Sequence, residues 1–259
     1  MKTQTGRVFF GVLLIGILLV VAQSQALASI ADSTASLDLS QFNISWGLNW
    51  TTGSQTTGTN ALASNSLGEN GTFSDLEPGW VSSSSAVNIS NAYAQGATAA
   101  SVLISSVSHS NLDGIGSANS SGSAMLTGSF TVTTAGWVFV TIPYTISLGL
   151  AASNDPAAAA SGDSKAWISL SKAGAGVSTD SMEITTTVYN GNTFNQTQSA
   201  IFGVMKWFDA GETGTFTAET STQASASEVP LPAALGLFAP GLACLFGLRK
   251  RPCKERTGV

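Results

Sequence analysis

The chain has 259 residues, a formal net charge of −5 and only 10% charged residues. Seven of its ten basic residues lie in the first seven or the last eleven positions, so residues 29–228, called the body below, carry three lysines against 14 carboxylates, a balance of −11. Such a surface repels phosphate groups, which excludes nucleic acid as a partner. Both cysteines, Cys244 and Cys253, lie near the C-terminus, so we expect the body to fold without a disulfide or a zinc site.

The first 28 residues have the order of a secretory signal peptide. Lys2 and Arg7 precede an uncharged run of fifteen mostly apolar residues, and Ala26 and Ala28 supply the small side chains that signal peptidase requires. We therefore predict a signal helix over residues 1–28, cleaved after Ala28, with an uncleaved N-terminal anchor as the alternative. Basic residues at the outer ends of both terminal apolar segments place the body beyond the inner membrane.

Residues 29–218 are predicted to form an all-β domain, an antiparallel β-sandwich of jelly-roll-like type. Apolar residues recur at every second position in eight to ten short segments, and no long helical pattern interrupts them. Residues 125–132 and 138–148 are the clearest pair, and the turn residues 134–136 between them predict a hairpin. Pro143 cannot donate to a ladder, which predicts a bulge or an edge position.

Residues 201–208 alternate apolar side chains on both faces, which predicts a strand buried on both sides.

Polar, low-complexity stretches predict loops at residues 51–70, 109–123 and 153–163. Residues 219–228 are all small or polar, which predicts a flexible stalk between the domain and the C-terminal segment.

The sequence favours a protein that is not an enzyme. His109 is the one histidine, and we expect it to be solvated in a loop, whereas a Ser-His-Asp triad would need it as the base. No Gly-x-Ser-x-Gly motif accompanies it.

Calcium and glycans are the two ligands that the body's residues leave open. Calcium binds through oxygen alone, and Asp155, Asp163 and Asp180 are candidate ligands, with ordinary surface carboxylates as the alternative. Six tryptophans could stack on sugar rings, although core packing accounts for most of them. Trp50 and Trp80 lie in polar surroundings, so we predict that they are exposed and contact glycan.

The C-terminal residues have a three-part order, in which two prolines precede an uncharged apolar run over residues 233–248 and a basic triplet follows. The prolines fix an extended segment. The run gives about 24 Å of helix, so the predicted transmembrane helix is marginal unless it begins at Val229. The basic triplet holds the end, residues 252–259, in the cytoplasm. An ordinary anchor that is left uncut is the alternative. The sorting residues are Val229, Pro230, Leu231, Pro232, Arg249, Lys250 and Arg251.

This arrangement over residues 229–251 resembles the PEP-CTERM sorting signal, which exosortases of Gram-negative bacteria recognise and process. It looks like the VPLPAA-type variant, with Leu231 where the family's glutamate usually lies. The resemblance implies transient anchoring in the inner membrane, cleavage near residues 229–232, and release to the cell surface or extracellular matrix in connection with exopolysaccharide and biofilm. A structural or adhesive matrix component is the function we expect. A carbohydrate-binding, lectin-like module, assisted by calcium or not, is the alternative.

Overall fold

The computed structural model of the chain describes residues 28–41, 43–44, 50–99 and 102–228. The predicted signal helix and the sorting segment lie outside the described residues, as does the side chain of Trp50. The described strands are β1 (Ser29–Asp38), β2 (Asn43–Ile44), β3 (Trp50–Asn65), β4 (Asn70–Pro78), β5 (Ser83–Ile89), β6 (Ala92–Ala99), β7 (Leu103–Leu112), β8 (Gly116–Val132), β9 (Gly136–Ala151), β10 (Ala158–Lys172), β11 (Ala175–Tyr189), β12 (Thr193–Phe208) and β13 (Thr213–Glu228). A short 3-10 helix spans Leu39–Gln41. Among the described residues no helix is long and apolar enough to cross a membrane.

The strands form two antiparallel sheets, which confirms the all-β prediction for the described residues. The first sheet has the order β12-β9-β1-β7-β6-β5, with β2 also paired to β9, and the second has the order β11-β10-β13-β8-β3-β4. Alternate residues of most strands are buried, whereas β4 has no buried residue, and side chains from both sheets belong to one hydrophobic core. Ile142 and Leu148 contribute from the first sheet, and Leu126 and Ile168 from the second.

Hydroxyl groups join the two sheets where the core side chains are small. Ser108 Oγ donates to the Thr222 carbonyl at 3.1 Å, and Ser110 Oγ donates to the Ala224 carbonyl at 3.0 Å. Both serines are fully buried and lie in the first sheet, whereas their acceptors lie in the second. A buried hydroxyl without a partner is costly, so hydrogen bonds between the sheets partly explain how the body holds so many serines and threonines, although Ser106 Oγ and Thr220 Oγ1 are buried with no partner among the described residues.

The predicted hairpin of residues 125–148 is wrong, because β8 and β9 lie in different sheets. Residues 133–135 join β8 to β9 at a corner between the sheets. At this corner three neighbouring strands of the second sheet meet three neighbouring strands of the first. On one side of the corner β8 lies between β3 and β13, and on the other side β9 lies between β2 and β12. The period of two identifies a strand but does not identify its partner.

Pro143 lies in an interior strand, so the predicted bulge or edge position is also wrong. The β9–β12 register is continuous through the Ile201–Pro143 pair. On the other side of β9, pairing with β1 ends at Tyr144 and pairing with β2 begins at Thr141. Pro143 therefore lies at the gap between β1 and β2, where a missing donor leaves no ladder bond broken.

The predicted stalk, residues 219–228, is the second half of β13, which pairs with β10 and β8 in the centre of the second sheet. The domain therefore extends to Glu228 rather than ending at residue 218. The predicted loop 51–70 is mostly β3, and most of 109–123 belongs to β7 and β8. In residues 153–163, β10 begins at Ala158. These segments lack large apolar side chains because alanine, serine and threonine fill the narrow space between the sheets.

Candidate functional site

The outer face of β9 and β12 carries an exposed apolar cluster, which we call the aromatic patch: Trp137, Phe139, Ile201, Met205 and Trp207. Trp207 pairs with Trp137 and Met205 with Phe139 across the two strands. The five side chains are 43% to 65% exposed. The core residues Val138, Val140, Phe202, Val204 and Phe208 alternate with them, so the alternation that buries one face of the strands places these five on the other.

The aromatic rings of the patch are held in place by one another and by the backbone. Trp137 and Trp207 meet edge to face, with ring centroids 5.8 Å apart and an interplanar angle of 76°. Trp207 Nε1 donates to Asp209 Oδ1 at 3.1 Å. A Cβ atom on Gly203 would lie 3.8 Å from the Phe139 ring, so that ring lies beside the bare glycine backbone. Edge-to-face packing adds stability beyond apolar burial.

Hydroxyl pairs continue the same face beyond the apolar side chains. Thr145 Oγ1 and Ser199 Oγ lie 2.8 Å apart, and Ser147 Oγ and Thr197 Oγ1 lie 2.9 Å apart. The outward-facing positions of the two strands, the odd-numbered residues of 137–151 and 193–207, carry no charged side chain. The face is therefore an apolar and hydroxyl-lined strip without charge, on a body whose net charge is strongly negative.

Trp80, predicted to be an exposed glycan contact, packs against the core instead. Its Nε1 donates to the Thr127 carbonyl at 3.0 Å, and its ring meets Phe216 edge to face at 6.5 Å. A Cβ atom on Gly128 would lie 2.8 Å from the indole, so the ring occupies the space that this glycine leaves. The prediction was wrong because the partners of Trp80 come from β8 and β13, which are distant in sequence. Trp50 begins β3, and its exposure stays a prediction.

The aromatic patch corresponds to the apolar alternation of residues 201–208, which predicts a strand buried on both faces. Only the even-numbered face is buried, and Ile201, Met205 and Trp207 are exposed. Apolar alternation on both faces does not distinguish a strand enclosed between layers from one with an exposed apolar surface.

Asp163, a predicted calcium ligand, lies on the outer face of the second sheet beside Glu183. Burial raises the pKa of Asp163, and Thr185 Oγ1 donates to its carboxyl at 2.5 Å. Hydrogen bonds with Asp163 and Lys165 lower the pKa of Glu183, and Lys165 Nζ lies 3.3 Å from Glu183 Oε2. The cluster is a hydrogen-bonded network of two carboxylates and one lysine on the sheet surface.

The other two predicted calcium ligands have separate structural roles. Asp155 Oδ1 accepts the Ala157 amide at 2.8 Å in the turn before β10. Asp180 Oδ2 accepts the Gly203 amide at 2.9 Å, which links β11 to the edge of β12. The three aspartates do not come together, and no group of three or more His, Cys, Asp or Glu in the described chain is placed to hold a metal ion.

His109 lies in β7 rather than in the predicted loop. Its Nδ1 contacts the Asp32 carboxylate on the outer face of the first sheet. The adjacent Ser108 and Ser110 point to the opposite face, where both are fully buried. Neither hydroxyl is therefore available to the imidazole as a nucleophile.

Together these features define an all-β protein of two antiparallel sheets, in which the outward-facing positions of β9 and β12 form an aromatic strip without charged side chains. No protein-family model matches the chain. The comparisons with curated proteins and with solved structures likewise give no match.

Proposed function

We propose that the chain is an exported surface or matrix protein of a Gram-negative bacterium, and that its body adheres to uncharged polysaccharide through the aromatic patch. The observation that carries the proposal is the exposure of two tryptophans, a phenylalanine and two aliphatic side chains on a strand pair whose outward-facing positions carry no charge. An acidic body repels nucleic acid and anionic lipid. An uncharged polymer fits both the apolar patch and the negative net charge of the body.

Stacking on the patch supplies modest affinity for each sugar. A sugar ring that covers one indole removes about 100 Å² of apolar surface from water, worth roughly 2.5 kcal/mol before the costs of association. The Thr145–Ser199 and Ser147–Thr197 hydroxyl pairs then offer hydrogen-bond partners along the same strip. Each strand of the strip has 16 residues, a length of about 53 Å. Several sugars of one polysaccharide chain can therefore bind the strip at the same time. Such multivalent binding raises the overall affinity above that for a single sugar.

Export and sorting form the second part of the proposal. Support comes from the signal-peptide order before Ser29 and from the sorting residues that begin at Val229. Signal peptidase and an exosortase are the processing partners, and the inner membrane holds the chain transiently. A surface location delivers the aromatic patch to the exopolysaccharide that it binds.

The finer description of the fold belongs to the same proposal, namely a β-sandwich of jelly-roll-like type. It is supported by the corner at residues 133–135, where β2 and β9 in one sheet continue as β3 and β8 in the other. A jelly roll is a double-sheet structure, and the two antiparallel sheets here likewise contribute to one core.

Binding of the purified mature protein to insoluble cellulose, an uncharged polymer, tests the adhesive part. We expect a Trp137→Ala/Trp207→Ala variant to lose most of the binding. The matched control is Tyr189→Ala, which removes an aromatic ring that is 60% exposed on the second sheet. Equal retention of the wild type and the double tryptophan variant, with unchanged circular dichroism, would contradict the proposal. Binding with and without calcium, and to alginate as a polyanion, defines the ligand class.

Mass spectrometry of the mature C-terminus tests the sorting part. In cells with an active exosortase we expect the chain to end near residues 229–232, and in cells that lack it we expect the tail through Val259. A tail that is intact in both strains would refute the sorting proposal and leave the adhesive one standing.

A further inference from the structure

The first and last residues of the described sheets meet in a buried corner. Ser29 Oγ donates to Glu228 Oε1 at 3.1 Å, and the Ser153 amide donates to Ser29 Oγ at 3.1 Å. Ser29 is fully buried and Glu228 is only 5% exposed. Ser29 follows the predicted signal-peptidase site, and Glu228 precedes the sorting residues. Ser29 and Glu228, the described residues next to the two proposed cleavage sites, are therefore in contact.

Glu228 lacks a cation among the described residues. The segments that meet at this corner, residues 29–33, 112–116, 151–158 and 222–228, contain no lysine, arginine or histidine. Their other titratable side chains are Asp32, Asp113 and Asp155, which are all carboxylates.

The lysines of the body lie away from this corner. Lys165 lies opposite Ser221 and Lys172 opposite Gly214 in the register of β10 and β13, and Lys206 lies opposite Val138. A buried carboxylate whose partner is only a hydroxyl is costly, because desolvation of the charge is not offset by an opposite charge.

We propose that removal of the signal peptide supplies the missing cation, as the new α-ammonium group of Ser29. Hydrolysis of the Ala28–Ser29 bond consumes one water, leaves a carboxylate on Ala28 and leaves the amine, protonated near neutral pH, on Ser29. Three bonds join the amine to Oγ of the same serine, so the two atoms lie within about 4 Å of each other. Because Oγ lies 3.1 Å from Glu228 Oε1, the ammonium nitrogen lies at most about 7 Å from that oxygen, a distance at which the two opposite charges attract in a buried corner. This inference depends on the proposed export but not on polysaccharide binding.

The ion pair stabilises the folded body only after processing. An anionic partner raises the pKa of the ammonium group above the ordinary range of about 7.7–8.0 for an α-amino group. For a cation whose folded pKa is raised, the stabilisation is fully present below that ordinary range and is lost as the pH rises through the folded value. A chain that retains its signal peptide has an uncharged amide at Ser29 and lacks this stabilisation at every pH.

The test uses four exported full-length chains: wild type, Glu228→Gln, a chain with one glycine inserted between Ala28 and Ser29, and the combination. N-terminal sequencing first establishes the processed residue. The α-amine is then labelled by ¹³C-dimethylation, which preserves its charge, and its pKa is followed by NMR. Thermal unfolding at pH 6.5 and pH 10 measures the stability.

In the wild type we expect the α-amine to titrate above its ordinary range, and in Glu228→Gln we expect it to return there. The wild type should be more stable than the glycine-inserted chain at pH 6.5, with a smaller difference at pH 10 and none when Glu228→Gln is present. An N-terminal Ser29 with the same pKa in wild type and Glu228→Gln overturns the ion pair alone. A chain that begins at another residue near Ser29 overturns the pair and the predicted cleavage site, and a chain that retains Met1 overturns the export step as well.

Discussion

Gly96 lies where the backbones of the two sheets approach closely, and its substitution tests the packing between the sheets. A Cβ atom at Gly96 would lie 1.8 Å from the Ser123 carbonyl oxygen and 2.9 Å from the Asn60 carbonyl oxygen. Both oxygens belong to backbone of the second sheet, so they cannot move aside as a flexible side chain would. Gly96→Ala must separate the sheets or shift a strand.

The expected cost is at the upper end of the range for overpacking. Overpacked cores lose typically 1–3 kcal/mol, and displacement of sheet backbone by more than an ångström places Gly96→Ala at about 3 kcal/mol. The hydrogen bonds between Ser108 and Thr222 lie between the same two sheets and weaken as the sheets separate. A loss of this size is a large fraction of the stability of a typical domain.

Urea unfolding, followed by circular dichroism, measures the effect. Gly203→Ala is the matched control, because its Cβ atom would meet the Phe139 ring at an ordinary 3.8 Å. Alanine in place of glycine within a strand favours the folded state by about 0.5–1 kcal/mol when it fits. Equal midpoints for Gly96→Ala and Gly203→Ala would refute the close contact of the sheets.

Three further substitutions test the aromatic patch, a hydrogen bond between the sheets and a half-buried carboxyl group. Trp207→Ala should weaken binding to uncharged polysaccharide about tenfold, or about 1.4 kcal/mol, as measured by affinity electrophoresis, with the unfolding midpoint changed little. Ser110→Ala should lower the free energy of unfolding by about 1–3 kcal/mol in urea, because the buried Ala224 carbonyl loses a donor. Burial raises the pKa of Glu219, against the opposing charge of Lys165, so wild-type stability falls as the pH rises from about 4.3 through the folded value. Glu219→Gln should remove that fall, and a wild-type pH profile that matches the variant's would contradict it.

Side-chain periodicity was sufficient to predict the class of fold but not the pairing of its strands. Val138, Ile142 and Leu148 are buried on one face of β9, as the alternation predicts. The partners of β9 are β1, β2 and β12, which lie far away in sequence, whereas the sequence suggested the neighbouring β8. Pairing depends on the path of the chain through the corner, and three turn residues at 133–135 allow either a hairpin or a passage between sheets.

Small polar residues caused the other errors. Residues 219–228 resemble a linker in composition, yet Thr220, Ala224 and Ala226 are fully buried between closely spaced sheets. Where sheets are close, methyl and hydroxyl groups fill the space and large side chains are excluded. If burial is equated with large apolar residues, such a strand is assigned to a loop. The same assumption placed Trp80 at the surface and left the aromatic patch unrecognised.

Among the described strands, β12 has an unpaired edge as well as the exposed aromatic face, and a carboxylate lies beside that edge. No described strand pairs with the outer side of β12, a 16-residue strand without proline, and such an edge invites pairing with other chains. Asp180 of β11 accepts the Gly203 amide, so it satisfies one edge donor and places a carboxylate beside the edge. A charge at this position disfavours the approach of another strand. The Asp180 carboxylate is not one of the outward-facing side chains of β9 and β12, which include Trp137 and Trp207. Adhesion through the face and resistance to edge pairing are therefore compatible in the same strand.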